Sequence, residues 1–113
     1  MKVIVCGGRE FHNFAQVVEV MGKIHEETPV TKIIHGGARG ADTFAWYWAR
    51  GEGIPSQAYP ADWGMYGRAA GLIRNKQMLD EESPDLVVAF PGGRGTRNMM
   101  KLARQAGVKV IEV

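Results

Sequence analysis

Residues 85–96 are DLVVAFPGGRGT, an apolar run followed at once by a glycine-rich loop. An uninterrupted apolar run after Ser83-Pro84 is typical of a strand that helices cover on both faces. The loop after it holds two adjacent glycines, an arginine and a threonine, and a helical pattern begins near Gly95. This stretch therefore predicts a buried parallel strand that turns tightly into a helix.

The same alternation of strand and helix extends over the whole chain. Short β-branched runs alternate with longer helical patterns, which predicts parallel strands joined by crossover helices. The predicted strands are 2–6, 31–35, 55–59, 85–90 and 108–113, and the predicted helices are 13–27, 40–51, 66–82 and 95–107. We expect one α/β domain over residues 1–113, a Rossmann-like three-layer sandwich with a five-stranded parallel sheet in the order 3-2-1-4-5. In that order, the topological switch point lies between strands one and four, where ligands of open α/β sheets bind.

Helical spacing also predicts which faces are buried. In the first helix the apolar stripe is Phe14, Val17, Val18, Met21 and Ile24. In the last helix the predicted buried side is Met99, Leu102, Ala103 and Ala106. Trp46, Tyr47 and Trp48 cannot all face one way, since neighbouring helical residues are about 100° apart. One ring is expected in the core and another at a homo-oligomer interface.

Composition excludes several classes of protein. The 113 residues carry a net charge of +2, which is weaker than the charge expected of a dedicated duplex-binding domain. No apolar run approaches the ~20 residues that span a bilayer, so no membrane partner is expected. The first strand begins without a leader, which favours a cytoplasmic protein. The single cysteine, Cys6, can form neither an internal disulfide nor a structural metal site, and a buried strand residue is the expected role.

Three predicted strands end in a glycine pair followed closely by arginine: Gly7-Gly8-Arg9, Gly36-Gly37-Ala38-Arg39 and Gly92-Gly93-Arg94. Glycine lets a phosphate approach the backbone, and each loop opens into a helix whose first N–H groups lack partners. Tight strand-to-helix turns also need glycine without any ligand, and that alternative stays open for each pair. The loops match neither a Walker loop nor the dinucleotide fingerprint. The predicted phosphate-binding and ligand-binding residues are Gly7, Gly8, Arg9, Gly36, Gly37, Arg39, Gly40, Asp42, Pro91, Gly92, Gly93, Arg94, Gly95 and Thr96.

Four motifs in this order resemble the SLOG superfamily, most closely its YspA-type branch. They are GGREF at 7–11, HGGARGAD at 35–42, Arg74-Asn75 with Met78, and PGGRGT at 91–96. The resemblance implies a Rossmann-like fold that binds nucleotide-derived ligands through these loops. Relatives include LOG-type phosphoribohydrolases, molybdenum-cofactor carrier proteins and a single-strand DNA-binding protein of natural transformation.

The LOG-type enzymes carry a Pro-Gly-Gly-x-Gly-Thr-x-x-Glu motif and an upstream arginine. Arg74 matches that arginine, but Met99 stands where the glutamate is expected. Cleavage of an N-glycosidic bond needs a carboxylate, which methionine cannot replace. Hydrolysis is then expected only if Asp42 or Glu10 supplies the carboxylate, so Arg74 and Asp42 are the candidate catalytic residues.

The leading hypothesis is that the protein binds or senses a small nucleotide-like molecule, such as a nucleoside monophosphate or an ADP-ribose-like compound, and requires no cofactor. The first alternative is a phosphoribohydrolase acting on a nucleoside monophosphate. The second is single-strand nucleic-acid binding, which the lack of a long basic stripe disfavours. Some residues keep two readings. Asp42 binds ribose hydroxyls or satisfies a helix terminus, Trp63 stacks on a base or caps the core, and His35 touches ligand or is hydrogen-bonded in the turn.

Overall fold

The structure, a computed structural model, describes residues 1–113 and contains five strands and five α-helices. In chain order they are β1 (Lys2–Cys6), α1 (Phe14–Glu27), β2 (Lys32–His35), α2 (Ala41–Gly51), β3 (Ser56–Ala58), α3 (Trp63–Tyr66), α4 (Ala70–Glu82), β4 (Leu86–Ala89), α5 (Arg94–Gln105) and β5 (Lys109–Glu112). A 3-10 turn, Gly67–Ala69, joins α3 to α4.

All five strands are parallel and lie in the order β3-β2-β1-β4-β5, which confirms the predicted fold class and topology. Ile4 in β1 pairs with Ile34 on one side and Val87 on the other. The central strands are apolar throughout because helices cover both of their faces. One core layer packs α1 and α2 on the sheet, and the other packs α4 and α5 on it.

Three details of the helices differ from the sequence-based expectations. The predicted helix 66–82 is not continuous: it covers the last residue of α3, the 3-10 turn and α4, and Gly67, with a φ of +56°, ends α3. In α1 only Val17 and Met21 are fully buried, whereas Phe14 and Val18 are exposed. Just after α5, Ala106 is exposed, so its predicted place on the buried side is wrong, and Met100 is buried instead.

Two expectations about buried residues are confirmed. Cys6 is a buried strand residue, and Trp48 is the one ring of its cluster that lies in the core. Tyr47 is exposed, and the oligomer interface predicted for this cluster stays a prediction.

A buried carboxylate, Glu82 at the end of α4, ties the helix layer to the sheet. Lys32 Nζ donates to Glu82 Oε1 at 2.8 Å and the Tyr59 hydroxyl donates to Oε2 at 2.6 Å. Lys2 Nζ donates to the Glu82 carbonyl at 2.7 Å. Burial by itself raises the pKa of Glu82, but the hydrogen bonds from Lys32 and Tyr59 and the nearby lysine charges hold it below its ordinary value.

We expect Glu82→Gln to lower the free energy of unfolding by about 2 kcal/mol at pH 7, since hydrogen bonds to a charged group are lost. Because folding lowers the pKa of Glu82, its stabilisation is present above the unfolded pKa of about 4.3 and disappears as the pH falls. Urea denaturation should therefore give a smaller difference between wild type and variant at pH 3 than at pH 7. Glu26→Gln, on the exposed face of α1, is the control and should change little at either pH. An equal deficit at both pH values would contradict this account.

Candidate functional site

A cleft of about 290 Å³ opens at the carboxyl edge of the sheet, where the chain topology reverses between β1 and β4. This volume is at the lower end of the ~300–1,000 Å³ that is usual for small-molecule sites. Nine of the predicted site residues line it: Gly7, Gly8, Arg9, Gly36, Asp42, Arg74, Gly93, Gly95 and Thr96. The parallel strands bring these residues together because their carboxyl ends share one edge of the sheet.

The loop between β4 and α5 presents a row of free backbone donors. The N–H groups of residues 92–96 have no acceptor within the protein, and the first helical bond runs from Arg97 N to Gly93 O. No side chain caps this helix. Thr96, only 7% exposed, lines the cleft with a hydroxyl that makes no hydrogen bond within the chain. Such a terminus attracts an anion through both its N–H groups and its dipole.

The loop between β2 and α2 is different, because its N–H groups already have acceptors. Asp42 Oδ2 accepts from Gly36 N at 3.1 Å and from Ala38 N at 3.2 Å. His35 Nδ1 accepts from Gly37 N at 3.0 Å, which is the turn hydrogen bond considered for this histidine. The proton of a neutral His35 then lies on Nε2, which is buried without a partner. Burial lowers the pKa of His35, and this favours the neutral ring.

Three loops meet at one point beside the cleft. Gly8 N donates to Pro91 O at 2.9 Å, and a Cβ on Gly92 would lie 2.6 Å from Gly8 N. Gly40, with a φ of +81°, lies equally close to the backbone of Gly8 and Arg9. The glycines at 40 and 92 are therefore needed for the close approach of the loops. In contrast, a Cβ on Gly93 would meet no atom within 4 Å.

Arg74 is held at the cleft wall by three hydrogen bonds. Its Nη1 donates to Gly36 O at 2.8 Å and Tyr59 O at 3.3 Å, and its Nε donates to Asn75 Oδ1 at 3.1 Å. The remaining nitrogen, Nη2, makes no hydrogen bond within the chain and belongs to a residue that lines the cleft. Asn75 in turn donates to Gly95 O, so α4 is bonded to the helix whose N-terminus is open. The result is a fixed cation with one free donor nitrogen.

Asp42 is the carboxylate of the cleft. The side chain is 6% exposed, and only one of its two oxygens is used by the backbone N–H groups of the preceding loop. Burial raises the pKa of Asp42 to about 6, although the hydrogen bonds from Ala38 and Gly36 and the charges of Arg74 and Arg9 act in the opposite direction. Asp42 thus stabilises its own loop while one oxygen remains available.

Six predicted ligand residues do not line the cleft: Gly37, Arg39, Gly40, Pro91, Gly92 and Arg94, the last at the exposed start of α5. Arg39 instead forms a surface ion pair with Glu10, whose side chain is 87% exposed. Glu10 does not line the cleft. Met99 lies in the core against Met78 and is fully buried.

Sequence reasoning did not include several lining residues among the site residues: Val5, Cys6, Ala38, Trp63, Gly71, Asn75 and Met78. Asn75 and Met78 carried a signal, since they stand in the same motif as Arg74. For Trp63 the sequence leaves open stacking on a base. Nothing in the local pattern singles out Gly71. Burial raises the pKa of Cys6 to about 12, so its thiol stays protonated.

No helix is both long enough and apolar enough to pass through a bilayer. No group of three or more His, Cys, Asp or Glu side chains lies close enough together to hold a metal ion.

The fold and the cleft define a Rossmann-like α/β protein with a glycine-lined crevice at its topological switch point. A profile of the YspA, cpYpsA-related SLOG family matches residues 1–66, which include the first two glycine-rich loops. The Gene 61 protein of Mycobacterium phage D29 is 36% identical over 118 aligned residues, which cover 97% of this chain and 94% of that protein. The chain therefore belongs to the YspA, cpYpsA-related SLOG family, which confirms the resemblance found in the sequence.

The raised pKa of Asp42 predicts the direction in which the stability of the protein changes with pH. An unfolded aspartate has a pKa of about 3.9, so ionisation of Asp42 costs free energy in the folded state as the pH rises from about 4 through 6. Asp42→Asn keeps a hydrogen-bond acceptor and removes that cost. We expect the free energy of unfolding of the variant, relative to wild type, to increase by about 2 kcal/mol between pH 4 and pH 7.

Urea denaturation at the two pH values tests this expectation. Asp80→Asn, a change at an exposed site on α4, is the control and should show no such increase. A difference between Asp42→Asn and wild type that stays constant from pH 4 to pH 7 would contradict the raised pKa.

Proposed function

We propose that this cleft binds a nucleotide-derived ligand, with its phosphate at the N-terminus of α5. The observation that carries the proposal is the run of five unpaired backbone N–H groups at residues 92–96, beside the unpartnered and nearly buried Thr96 hydroxyl. Membership of the SLOG family supports a nucleotide-related role. The phosphate oxygens would accept from these donors, and the helix dipole would favour their charge.

Two cations complement a phosphate at this position. Arg9 has no carboxylate within 4.0 Å, and Arg74 keeps its Nη2 free on the cleft wall. A planar guanidinium binds phosphate through two parallel hydrogen bonds. Arg39 and Arg94, the other predicted cations, lie outside the lining and act only at longer range.

The free oxygen of Asp42 favours a ligand that carries a sugar as well as a phosphate. Its second oxygen is an acceptor for a ribose hydroxyl, which a bare phosphate does not offer. The cleft also shares Gly8, Arg9 and Gly93 with a neighbouring groove lined by His12 and Asn13. A nucleoside monophosphate would occupy the cleft alone, whereas an ADP-ribose-like ligand would extend over Gly93 into that groove.

A substitution at Gly93 tests the phosphate position. Gly93→Val adds a branched side chain to a residue that lines the cleft, at a site where a Cβ meets no other atom of the protein. We expect the variant to fold normally and to bind AMP more than about tenfold more weakly, a loss of at least about 1.4 kcal/mol. Calorimetric titration with AMP, ADP-ribose and cyclic AMP measures the affinities. In an independent measurement, a ligand at 100 times its Kd should raise the free energy of unfolding of wild type by about 2.7 kcal/mol.

Gly22→Val is the matched control, because Gly22 lies in α1 away from the cleft and a Cβ there also meets nothing. It should leave the affinity for AMP unchanged. A folded Gly93→Val variant that binds the best ligand as tightly as wild type would overturn the phosphate position.

One observation favours hydrolysis of the N-glycosidic bond as the second candidate function. Asp42 has one free oxygen and a pKa of about 6, which suits a general acid or base near neutral pH. Against it, Met99 occupies the position of the expected glutamate and is buried in the core. We therefore place binding without cleavage first.

Overnight incubation with AMP separates these two functions. Loss of a general acid or base usually costs about 10² to 10⁴ in rate, so chromatography should detect no free adenine. Release of adenine with ribose 5-phosphate at enzymatic turnover, abolished by Asp42→Asn but kept by Glu10→Gln, would instead make the hydrolase the better assignment.

A further inference from the structure

We propose that Arg9 and Trp63 form a clamp that holds the base of the ligand. The proposal rests on the proposed function and deepens it, since it selects ligands that carry a planar aromatic base beyond the sugar phosphate. The Arg9 guanidinium carbon lies 5.4 Å from the centroid of the Trp63 ring, and both residues line the cleft. They come from different elements, Arg9 from the loop after β1 and Trp63 from α3.

The Trp63 ring is positioned as a wall of the cleft and not as part of the core. The side chain is 49% exposed and belongs to neither core cluster, whereas Trp48 is 4% exposed within one of them. An added Cβ on Gly71 would lie 3.4 Å from Trp63 Cη2 and 3.9 Å from Arg74 Nη2. The aromatic ring and the free nitrogen of Arg74 are thus neighbours across one glycine, so a ligand held by Arg74 has its base within reach of Trp63.

The contact between Arg9 and Trp63 is weak enough to open. Arg9 is exposed and has no ion pair, in contrast to Arg39, which is bound to Glu10. A guanidinium over an exposed ring is held only loosely. A base that enters between the two would stack on the indole face on one side and on the guanidinium plane on the other, and both surfaces stack well on nucleobases. Arg9 therefore covers the indole face that the base would occupy.

The chain contains a matched control for this clamp. In α2, a second arginine, Arg50, lies over the ring of Trp46, with its guanidinium carbon 5.3 Å from the ring centroid. Trp46 and Arg50 do not line the cleft. The two pairs therefore have nearly the same distance from guanidinium carbon to ring centroid, but only the Trp63 pair lines the cleft.

Calorimetric titration with AMP and with ribose 5-phosphate tests the clamp in the intact protein. AMP should bind wild type more tightly than ribose 5-phosphate, by roughly 5- to 150-fold from stacking on one aromatic ring. Trp63→Ala should remove most of this advantage and leave binding of ribose 5-phosphate unchanged. Trp63→Phe, which restores an aromatic face, should recover part of it. Arg9→Lys should weaken binding of both ligands, since Arg9 also contacts the proposed phosphate, and should in addition reduce the advantage for AMP because ammonium offers no plane. Trp46→Ala should keep the full advantage for AMP.

Each result separates this proposal from the function on which it rests. If ribose 5-phosphate binds and the preference for AMP survives in Trp63→Ala, the clamp is wrong and the phosphate site stands. If wild type shows no preference for AMP, the clamp is wrong as well. If neither ligand binds to wild type, both the clamp and the proposed function fail. Loss of the preference in Trp46→Ala to the same extent as in Trp63→Ala would also overturn the clamp, since the effect would then not depend on the cleft.

Discussion

The hydrogen bond from Gly8 N to Pro91 O joins the loops that leave β1 and β4, and the geometry of the cleft depends on it. The two strands are neighbours in the sheet and their helices pack on opposite faces, so the two loops border the crevice between them and touch at its base. Only glycine permits this approach, because a Cβ on Gly92 would meet Gly8 N and the Thr96 hydroxyl. The same contact fixes the start of α5 at the mouth of the crevice between β1 and β4.

Interlocking of the loops divides the glycines into two groups with different roles. Gly40 and Gly92 are required by the protein itself, since any side chain there would meet backbone atoms. Gly93 and Gly95 are free of such contacts, and they lie in the loop that keeps its N–H groups unpaired. A glycine that the fold does not need, placed beside unpaired donors, is the kind of residue that a bound phosphate would explain. The three loops therefore have similar sequences, but their backbone N–H groups differ in whether they have acceptors within the protein.

The sequence predicted the fold well because the fold depends on local periodicity and on chain topology. Apolar runs such as 85–90 identify buried parallel strands, and the alternation with helices leaves few possible orders. Which loop has free donors could not be predicted, because the answer depends on contacts distant in sequence, such as Gly8 with Pro91. The role of Asp42 as an acceptor for its own loop could not be predicted either, since an acid in the first turn of a helix is equally consistent with a ligand contact and with a loop contact. Gly71 carries no local signal because its role is to leave room for Trp63, which comes close only after α3 turns at Gly67.

The presence of a carboxylate in a proposed anion site needs a physical reason, and the β2–α2 loop supplies it. Asp42 accepts from two N–H groups of that loop, so it is retained for the fold even though burial raises its pKa to about 6. Arg74 and Arg9 offset its charge, and both lower the pKa of Asp42 in doing so. An ionised Asp42 repels a bare phosphate, but its free oxygen accepts from a hydroxyl group. Under the proposed function, a ligand that carries both a phosphate and ribose hydroxyls would complement both the open N-terminus of α5 and the free oxygen of Asp42.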